Sequence, residues 1–270
     1  MTKSEPDPAL LALFERIDRA CGLGCDGYKQ SCFLRRLAVR MRACGAKTYQ
    51  EYAAVLDEDA AEYGRLLETI TINVTKFFRN AETWGVLRDK VLPELWEGGN
   101  GRVRCWSAGC ASGEEPYTLS ILLLELARSR GTSADGARVD ATDLDGAVLA
   151  RAREAVYGPA AFDEMPPTLT RRYVTGSDSR TVVPEVKSLV RFQRHDVLRD
   201  PVPNPPYDLI ICRNVVIYFD RPTQERLFRR FVDALAPGGY LVLGKVETLV
   251  GDVRTQLVIE DARERVYRRA

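Results

Sequence analysis

Hydrophobic residues in the first part of the chain recur at the spacing of an α-helix. Leu10, Leu13 and Ile17 are separated by three and four residues, and similar spacing continues to about residue 95. Positions three and four residues apart lie on one face of a helix, where they can pack against a core. The pattern therefore predicts an all-helical N-terminal domain, which we place at residues 1–80.

Beyond residue 100 the hydrophobic pattern changes to short apolar runs separated by helical stretches. The runs predict strands at 102–106, 138–142, 189–193, 207–212 and 239–244, with helices at 116–129, 145–156 and 222–235. Alternation of this kind is typical of a parallel sheet covered by helices on both faces, with ligands at the carboxyl ends of the strands. We therefore predict an α/β fold over residues 81–270, with a doubly wound, mostly parallel sheet and a final antiparallel strand around Val266.

Residues 157–188 interrupt this alternation with four prolines and a polar turn at Thr175–Ser179. The residues on either side of the turn, Tyr173–Val174 and Thr181–Val183, are predicted to pair as a short hairpin. We therefore expect a small antiparallel β-subdomain at about residues 170–193, inserted into the α/β domain.

Composition and charge narrow the class of protein without identifying its partner. The formal net charge is +1, so no overall field favours nucleic acid or a membrane surface. Seven cysteines lie at irregular spacing and His195 is the single histidine, which argues against a zinc site and for a reducing compartment. Because no apolar run reaches the ~18 residues of a membrane span, we expect a cytoplasmic protein without membrane insertion, bound metal or nucleic acid.

A glycine-containing loop follows the first predicted strand and leads into a helix. Gly109 and Gly113 lie in this loop, and Glu114 and Glu115 begin the helix. Such units bind nucleotides, because glycine lets a ligand approach the backbone and a helix N-terminus offers unpaired N–H groups. The two acids disfavour a diphosphate and favour a cationic ligand, although acids are also common as simple partners of the helix dipole.

Acidic residues also follow the second and third predicted strands. Asp143 lies where doubly wound folds place an acid that accepts hydrogen bonds from ribose hydroxyls. The alternative for this segment is helix capping, for which Asp145 is the better placed residue. Asp196 is a candidate acceptor for the amino group of an adenine, whereas the preceding His195 is interpreted as a solvated or structural residue and not as a catalytic one.

Polar residues after the fourth predicted strand are difficult to explain as part of a core. Arg213 and Asn214 directly follow an apolar run, and buried polar groups cost free energy unless they are hydrogen-bonded. We therefore predict that both face a ligand and that the Tyr218 hydroxyl points into the same cleft. A core aromatic residue with a solvated hydroxyl is the alternative for Tyr218.

Two further groups of polar residues lie upstream of the sheet. Asn73, Thr75 and Arg79 bring hydrogen-bonding side chains to the predicted domain boundary, where ligand sites are common. The second predicted helix has five cations and no acid over residues 29–46, which indicates either a solvated face or a docking surface for an acidic partner. These cations are Lys29, Arg35, Arg36, Arg40 and Arg42.

Five segments, taken in order, resemble the chemotaxis receptor methyltransferase (CheR) family. They are T-x-N-x-T-x-F-F-R, W-S-A-G-C-A-S-G-E-E-P-Y, A-T-D-L-D, C-R-N-V-V-I-Y-F-D and L-A-P-G-G-Y-L-V-L-G. The resemblance covers residues 10–268 and implies methyl transfer from S-adenosylmethionine to glutamates in the cytoplasmic methylation helices of chemoreceptors, with S-adenosylhomocysteine as product. It also implies a helical N-terminal domain and a class I methyltransferase (Rossmann-like) domain with a small β-subdomain. We expect a monomer.

The resemblance assigns roles to particular positions of this chain. Arg79 and Tyr218 match positions beside the transferred methyl group and the substrate, and the basic helix matches one that meets the acidic methylation region of receptors. The docking residues implied on that helix are Arg35, Arg36, Arg40 and Arg42. The positions that match cofactor contacts are Asn73, Thr75, Arg79, Gly109, Glu115, Asp143, Asp196, Val197, Arg213 and Asn214.

Three features depart from the family pattern. Gly244-Lys245-Val246-Glu247 stands where G-x-S-E is common, and Asp196 stands where asparagine is common. The turn at Thr175–Ser179 is also short, and in the family this subdomain can bind a tethering peptide at the end of the receptor. We therefore expect no binding of a C-terminal pentapeptide.

Other functions stay open on the sequence alone. The chain could be a signalling module that binds S-adenosylmethionine without turnover, or a methyltransferase for a signalling protein outside chemotaxis. A nicotinamide-dependent oxidoreductase fits the predicted sheet but not the loop, which lacks G-x-G-x-x-G and carries acids beside the ligand.

Overall fold

A computed structural model describes the chain over residues 7–71 and 73–270, apart from the Asp26 side chain. Residues 1–6 and 72, which fall in the predicted helical domain, lie outside this description. Within it, no helix combines the length and the hydrophobicity that crossing a membrane requires.

Two compact units make up the chain. The first comprises Met1–Asn73 together with Tyr218–Thr223, and the second comprises Val74–Ile217 and Gln224–Ala270. The long N-terminal segment of the first unit is helical, as the spacing of its apolar residues predicts. Its helices are α1 (Pro8–Cys21), α2 (Gln30–Ala43), α3 (Tyr49–Glu58) and α4 (Ala61–Thr71).

Local hydrogen bonds and a glycine define the ends of these helices. At the start of α1 the Asp7 side chain accepts from Ala9 N (2.9 Å), and Gly22, with a φ of 70°, ends the helix. Helix α3 begins after Thr48, whose Oγ1 accepts from Glu51 N (3.1 Å). The helix faces that pack together bury Leu13, Ile17, Phe33, Leu37, Tyr52, Leu56 and Leu66.

The second unit is built on a mostly parallel sheet. Its strands are β1 (Val103–Ala108), β2 (Ala137–Asp143), β3 (Val156–Tyr157), β4 (Val174–Thr175), β5 (Arg180–Val182), β6 (Val190–Arg194), β7 (Tyr207–Cys212), β8 (Leu235–Leu243), β9 (Leu257–Asp261) and β10 (Val266–Arg269). In the described residues the large sheet has the order β6-β2-β1-β7-β8-β10-β9. Neighbours from β6 to β8 are parallel, whereas β10 is antiparallel to β8 and β9. Because the strand order reverses at β1, the ligand crevice of a doubly wound fold falls at the carboxyl ends of β1 and β7.

Helices connect the strands and supply much of the core. They are α5 (Ala81–Val86), α6 (Leu92–Gly98), α7 (Glu114–Ser129), α8 (Gly146–Glu154), α9 (Pro167–Tyr173), α10 (Pro184–Ser188) and α11 (Arg221–Ala234). A π-helical stretch, Leu87–Val91, joins α5 to α6. Helix α7 is buried along most of its length, and Leu119 and Leu123 pack in the core with Val103 of β1. The predicted doubly wound α/β fold is confirmed.

Strand β9 is the element of the large sheet that the hydrophobic pattern did not predict. It lies at the edge of the sheet, next to β10. Its apolar residues do not alternate with polar ones, because Val258 and Ile259 are adjacent and both are exposed. A strand at the edge of a sheet does not have to be buried on both faces, so the hydrophobic pattern in its sequence is weaker.

A small separate sheet has the order β3-β5-β4. The predicted hairpin is present, since Val174 pairs with Val182 and Thr175 pairs with Thr181 in antiparallel register. This sheet differs from the expected range of 170–193 at both ends. Strand β3 adds residues before that range, and β6 belongs to the large sheet because it pairs in parallel with β2.

Candidate functional site

The loop between β1 and α7 is shaped by glycines at positive φ. Gly109 has a φ of 79° and Gly113 has a φ of 97°, a region that other residues seldom adopt. A Cβ at position 109 would lie 2.4 Å from Val215 Cγ2, which is too close for packed atoms. Gly109 N donates to Thr142 O near the end of β2 (2.8 Å). The loop backbone is thus held at the carboxyl ends of β1 and β2, with no side chain at Gly109.

Asp143 links the glycine loop to the segment that precedes α8, with one carboxylate oxygen bonded to each. Its Oδ2 accepts from Ala111 N (2.9 Å), its Oδ1 accepts from Asp145 N (3.0 Å), and the side chain is buried. Burial raises the pKa of Asp143, and the backbone donors oppose that rise. Asp145 caps α8 by accepting from Ala147 N (2.9 Å), as predicted. Because a carboxylate offers about four acceptor positions, Asp143 can still accept from a ligand hydroxyl.

Glu115 belongs to a largely buried ion pair and is not a solvent-exposed acid that only interacts with the helix dipole. Its Oε2 lies 3.4 Å from Arg213 Nη1, and its Oε1 accepts from Ser107 Oγ (2.8 Å). Burial raises the pKa of Glu115, and Arg213 opposes that rise. Glu114 is also buried, and it accepts from Ser112 Oγ (2.7 Å). Part of the negative charge at this helix start is therefore already matched by Arg213.

The Arg213 guanidinium links this ion pair to the segment that precedes α5. Its Nη2 donates to Arg79 O (2.9 Å) and to Asn80 Oδ1 (2.7 Å), and its Cζ lies 5.6 Å from the Trp84 ring centre. Arg213 Nε has no hydrogen-bond partner in the described part of the chain. The structure thus brings together three residues predicted to line the site, namely Glu115, Arg213 and the backbone of Arg79.

The segment around Arg79 has an unusual backbone conformation. Phe78 and Asn80, on either side of Arg79, have positive φ values of 56° and 62°. Phe78 N donates to Thr118 Oγ1 on α7 (3.1 Å), and Arg79 Nη1 donates to Val74 O (2.8 Å). Non-glycine residues at positive φ cost roughly 1–3 kcal/mol each and persist where their surroundings enforce them, commonly at functional sites. The turn that carries Arg79 is therefore held in place by α7 and by Arg213.

Glu247 organises the loop after β7, and the sequence did not indicate this role. Its Oε2 accepts from Gly244 N (2.6 Å) and Asn214 N (2.9 Å), and its Oε1 accepts from Val216 N (2.8 Å) and Ile217 N (3.3 Å). Burial raises the pKa of Glu247, and the four N–H donors oppose that rise. Asn214 has a φ of 62°, so this loop is also held in a conformation that needs support. The signals in the sequence were an acid just past the end of a predicted strand and its match to the acid of the family pattern G-x-S-E.

Asp196 has one hydrogen-bonded carboxylate oxygen, Oδ1, and one, Oδ2, whose ion-pair contact is Arg199 Nε at 3.9 Å. Its Oδ1 accepts from Leu198 N (2.8 Å), whereas its buried Oδ2 has no hydrogen bond within residues 7–71 and 73–270. Burial raises the pKa of Asp196, and the donor at Leu198 opposes that rise. An unsatisfied buried acceptor beside the end of β6 suits a ligand N–H donor. The preceding His195 packs edge-on against Trp106, with ring centres 5.6 Å apart, which agrees with its interpretation as structural.

The remaining predicted site residues lie outside the α-helices and β-strands, and Tyr218 ends a 3-10 helical turn, Val216–Tyr218. Thr75 and Val197 are half-buried in the second unit, and Asn73 is half-buried at the end of the long N-terminal segment. Tyr218 is also half-buried, and its carbonyl accepts from Lys29 N (2.8 Å) within the first unit. The roles assigned to these four site residues stay predictions.

One arginine of the basic helix α2, Arg40, forms an ion pair within its own unit. Arg40 Nε and Nη2 donate to the two oxygens of Glu62 at 2.8 and 2.7 Å, and Glu62 also accepts from Tyr52 OH (2.8 Å). Burial works against ionisation of Glu62, but hydrogen bonds from Arg40, Arg65 and Tyr52 outweigh it and lower the pKa of Glu62 to about 2. Arg40, which was predicted to dock a partner, is therefore held by Glu62. The arginines of α2 that make no ion pair within the described residues are Arg35, Arg36 and Arg42.

Comparison with known proteins agrees with this architecture over nearly the whole chain. The family model described as CheR methyltransferase, SAM binding domain, matches residues 73–266, and the model described as CheR methyltransferase, all-alpha domain, matches residues 8–71. A chemotaxis protein methyltransferase of Listeria innocua is 36% identical over 235 residues, covering 87% of each chain. A probable chemotaxis protein methyltransferase of Rhizobium etli is 33% identical, covering 86% of this chain and 90% of the relative. Chemotaxis protein methyltransferase 2 of Pseudomonas aeruginosa is 34% identical, covering 87% and 85%.

Proposed function

The chain belongs to the CheR methyltransferase family, and we propose that it converts glutamate side chains of chemoreceptors to methyl esters. As a member of this family it is a methyltransferase that depends on S-adenosylmethionine. The glutamate target and the receptor are the proposed part. They are supported by the similarity to relatives that are named chemotaxis protein methyltransferases.

The observation that carries the proposal is a set of carboxylates near the carboxyl ends of the parallel strands. Glu115, Asp143 and Asp196 lie near the ends of β1, β2 and β6, and Asp196 Oδ2 is buried without a hydrogen bond in the described residues. Carboxylates repel a diphosphate and attract a sulfonium cation that also carries an amino group. The charge of this edge therefore fits S-adenosylmethionine better than a dinucleotide.

The residues at this edge also fit the shape and hydrogen-bonding groups of that donor. Gly109 has positive φ and packs directly against Val215, so that the loop takes a backbone conformation with no side chain at this position. Asp143 would accept from the ribose hydroxyls, and Asp196 Oδ2 would accept from the adenine amino group. When bound, S-adenosylmethionine supplies an electrophilic methyl group on sulfur.

The protein has little acid–base chemistry to perform in this reaction. A glutamate carboxylate is ionised at neutral pH, so its oxygen can attack the methyl carbon without a general base. That oxygen forms the new bond to carbon, and the electron pair of the broken carbon–sulfur bond stays on sulfur. The contribution of the chain is then in-line positioning and exclusion of water. We assign orientation of the incoming carboxylate to the Tyr218 hydroxyl and positioning of donor or substrate to Arg79.

Helix α2 supports an acidic helix as the protein partner. Arg35 and Arg42 are exposed and Arg36 is half-buried, and none of the three makes an ion pair in the described part of the chain. A receptor methylation helix rich in glutamate would complement these cations.

The short hairpin turn supports a mode of action without a pentapeptide tether. Calorimetric titration with a receptor tail pentapeptide tests that point, because binding at micromolar concentration would contradict it.

The test is transfer of radiolabelled methyl groups to purified receptor fragments. We expect incorporation that alkali releases as methanol, and loss of that incorporation in Arg79→Ala and Tyr218→Phe. Arg171→Ala, which changes an exposed arginine of α9, is the matched control and should retain activity. Binding of S-adenosylhomocysteine with no transfer to any receptor would instead favour a module that senses the cofactor. Transfer to another signalling protein but not to receptors would move the substrate outside chemotaxis.

A further inference from the structure

A cavity of about 280 Å³ lies at the opposite ends of the strands from the proposed donor site. Three arginines line it, and each is the second residue of its strand: Arg104 in β1, Arg138 in β2 and Arg191 in β6. Parallel strands place their amino ends at one edge of a sheet. The three cations therefore meet at the amino edge, whereas Gly109 and Asp143 lie at the carboxyl edge.

The positive charges of this cavity are close together and poorly matched. Arg104 and Arg138 are register partners on adjacent parallel strands, so their side chains leave the same face of the sheet. Like charges on neighbouring strands at the same register repel one another. Arg104 Nη2 is bonded to the carbonyl of Asn204, but the side chains of Arg138 and Arg191 make no hydrogen bond or ion pair within the described residues.

A single buried carboxylate lies among these arginines. Asp140 is the register partner of Arg191, and its Oδ2 accepts from Tyr207 OH (2.8 Å) and Asn204 Nδ2 (3.0 Å). Its Oδ1 accepts no hydrogen bond in the part of the chain that the structure describes. Asp208, which accepts from Arg104 N (2.8 Å), is the other acid close by. The cavity thus combines an excess of guanidinium donors with one free acceptor oxygen.

We propose that this cavity binds a small phosphate ester that also carries a hydroxyl or amino group. Guanidinium groups bind phosphate oxygens in bidentate geometry, and Arg138 and Arg191 have all of their donors available for that purpose. Asp140 Oδ1 accepts from the hydroxyl or amino group, which distinguishes the ester from a free anion. The volume is just below the usual range for small-molecule pockets, about 300–1,000 Å³, which limits the ligand to a compact metabolite. This is a second binding site, separate from methyl transfer.

The test is calorimetric titration of the full chain with glycerol 3-phosphate and with inorganic phosphate at constant ionic strength. Saturating S-adenosylhomocysteine is present throughout, so that binding at the donor site cannot account for the heat. We expect both probes to bind, and glycerol 3-phosphate to bind several-fold more tightly. If neither probe binds at about 10 mM, the proposal is overturned.

Substitutions locate the site and separate its two parts. Arg138→Gln combined with Arg191→Gln should weaken binding of both probes by at least about tenfold, since loss of even one charged hydrogen bond is worth about that factor. Arg171→Gln, the exposed arginine of α9, is the matched control and should leave affinity within about twofold. Equal effects of the double substitution and of Arg171→Gln would overturn the proposal, because they would indicate non-specific attraction. Arg138→Gln alone gives the same test if the double variant does not fold.

Asp140→Asn tests the acceptor. The asparagine oxygen can still accept from Tyr207 and Asn204, but its NH₂ group then faces the cavity and cannot accept from a ligand. We expect the preference for glycerol 3-phosphate over inorganic phosphate to disappear in this variant. A preference that persists would overturn the assignment of Asp140. None of these readouts involves methyl transfer, so failure here and failure of the methyltransferase assay are distinguishable.

Discussion

Replacing Glu247 by glutamine tests whether one carboxylate holds the loop that follows β7. Each Glu247 oxygen accepts from two backbone N–H groups, at N···O distances of 2.6 and 2.9 Å for Oε2 and 2.8 and 3.3 Å for Oε1. In either orientation a glutamine places its NH₂ group against two N–H donors, so two hydrogen bonds are lost. At about 1.5–3 kcal/mol for each hydrogen bond to a charged group, the loss is roughly 3–6 kcal/mol if the loop stays in place. A loop that opens to water recovers part of this free energy and loses ligand affinity instead.

Two measurements on the same sample capture both consequences of Glu247→Gln. Denaturant unfolding followed by tryptophan fluorescence reports on the second unit, because the three tryptophans of the chain, Trp84, Trp96 and Trp106, all lie there. Calorimetric titration with S-adenosylhomocysteine reports on the arrangement of Arg213 and Asn214. We expect a lower free energy of unfolding, a larger dissociation constant for S-adenosylhomocysteine, or both.

Glu114→Gln is the matched control for Glu247→Gln. Glu114 is 5% exposed and Glu247 is 3% exposed, so both substitutions neutralise a buried acid. Glu114 accepts from the Ser112 hydroxyl (2.7 Å), which can rotate to suit an amide, and the expected loss is below about 1 kcal/mol. If the two variants unfold within about 1 kcal/mol of each other and bind S-adenosylhomocysteine equally, the role assigned to Glu247 is wrong.

Three further substitutions test other parts of the structure. Gly109→Ala should weaken S-adenosylhomocysteine binding by about tenfold or more, because the residue has positive φ and no room for a Cβ; unchanged affinity in a calorimetric titration would contradict this. Arg213→Lys should slow single-turnover methyl transfer by about tenfold or more, because lysine cannot reach Glu115 and the segment around Arg79 together; a wild-type rate would show that the clamp is dispensable. The pKa of Glu62 is lowered from 4.5 to about 2, so its stabilisation is complete above pH ~4.5 and is lost as pH falls toward 2. The stability difference between wild type and Glu62→Gln should therefore shrink by about 3 kcal/mol over that window in thermal unfolding, and a constant difference would contradict the assignment.

Local patterns were sufficient to predict most of the secondary structure. Strand β7 is apolar apart from Asp208, and α8 begins after Asp145, whose side chain caps it as a short-range signal predicts. The exceptions are short or lie at edges. Strand β3 is two residues long, and β9 exposes Val258 and Ile259, so neither has the alternation by which a buried strand is identified.

Long-range partners were beyond the reach of those patterns. Glu247 is bonded to Asn214, 33 residues away, and neither its place near the end of a strand nor its match to the acid of G-x-S-E indicates that partner. Arg40 looked equivalent to its neighbours on α2, but it meets Glu62 of α4 because the two helices pack with these residues facing one another. Which charged side chains form ion pairs depends on packing between elements that are distant in the chain, and this packing cannot be read from one sequence.

The sequence by itself determined the fold class, the order of the glycine loop and the acidic strand ends, and the family, because these depend on local periodicity and on segments that stand in a fixed order. Only the tertiary structure decided how the site is held together. Arg213 joins Glu115 to the backbone of Arg79, Asp143 holds the glycine loop, and Glu247 holds the loop that carries Asn214. The same is true of the arginine cavity, whose three cations come from separate strands and meet because parallel pairing sets their register.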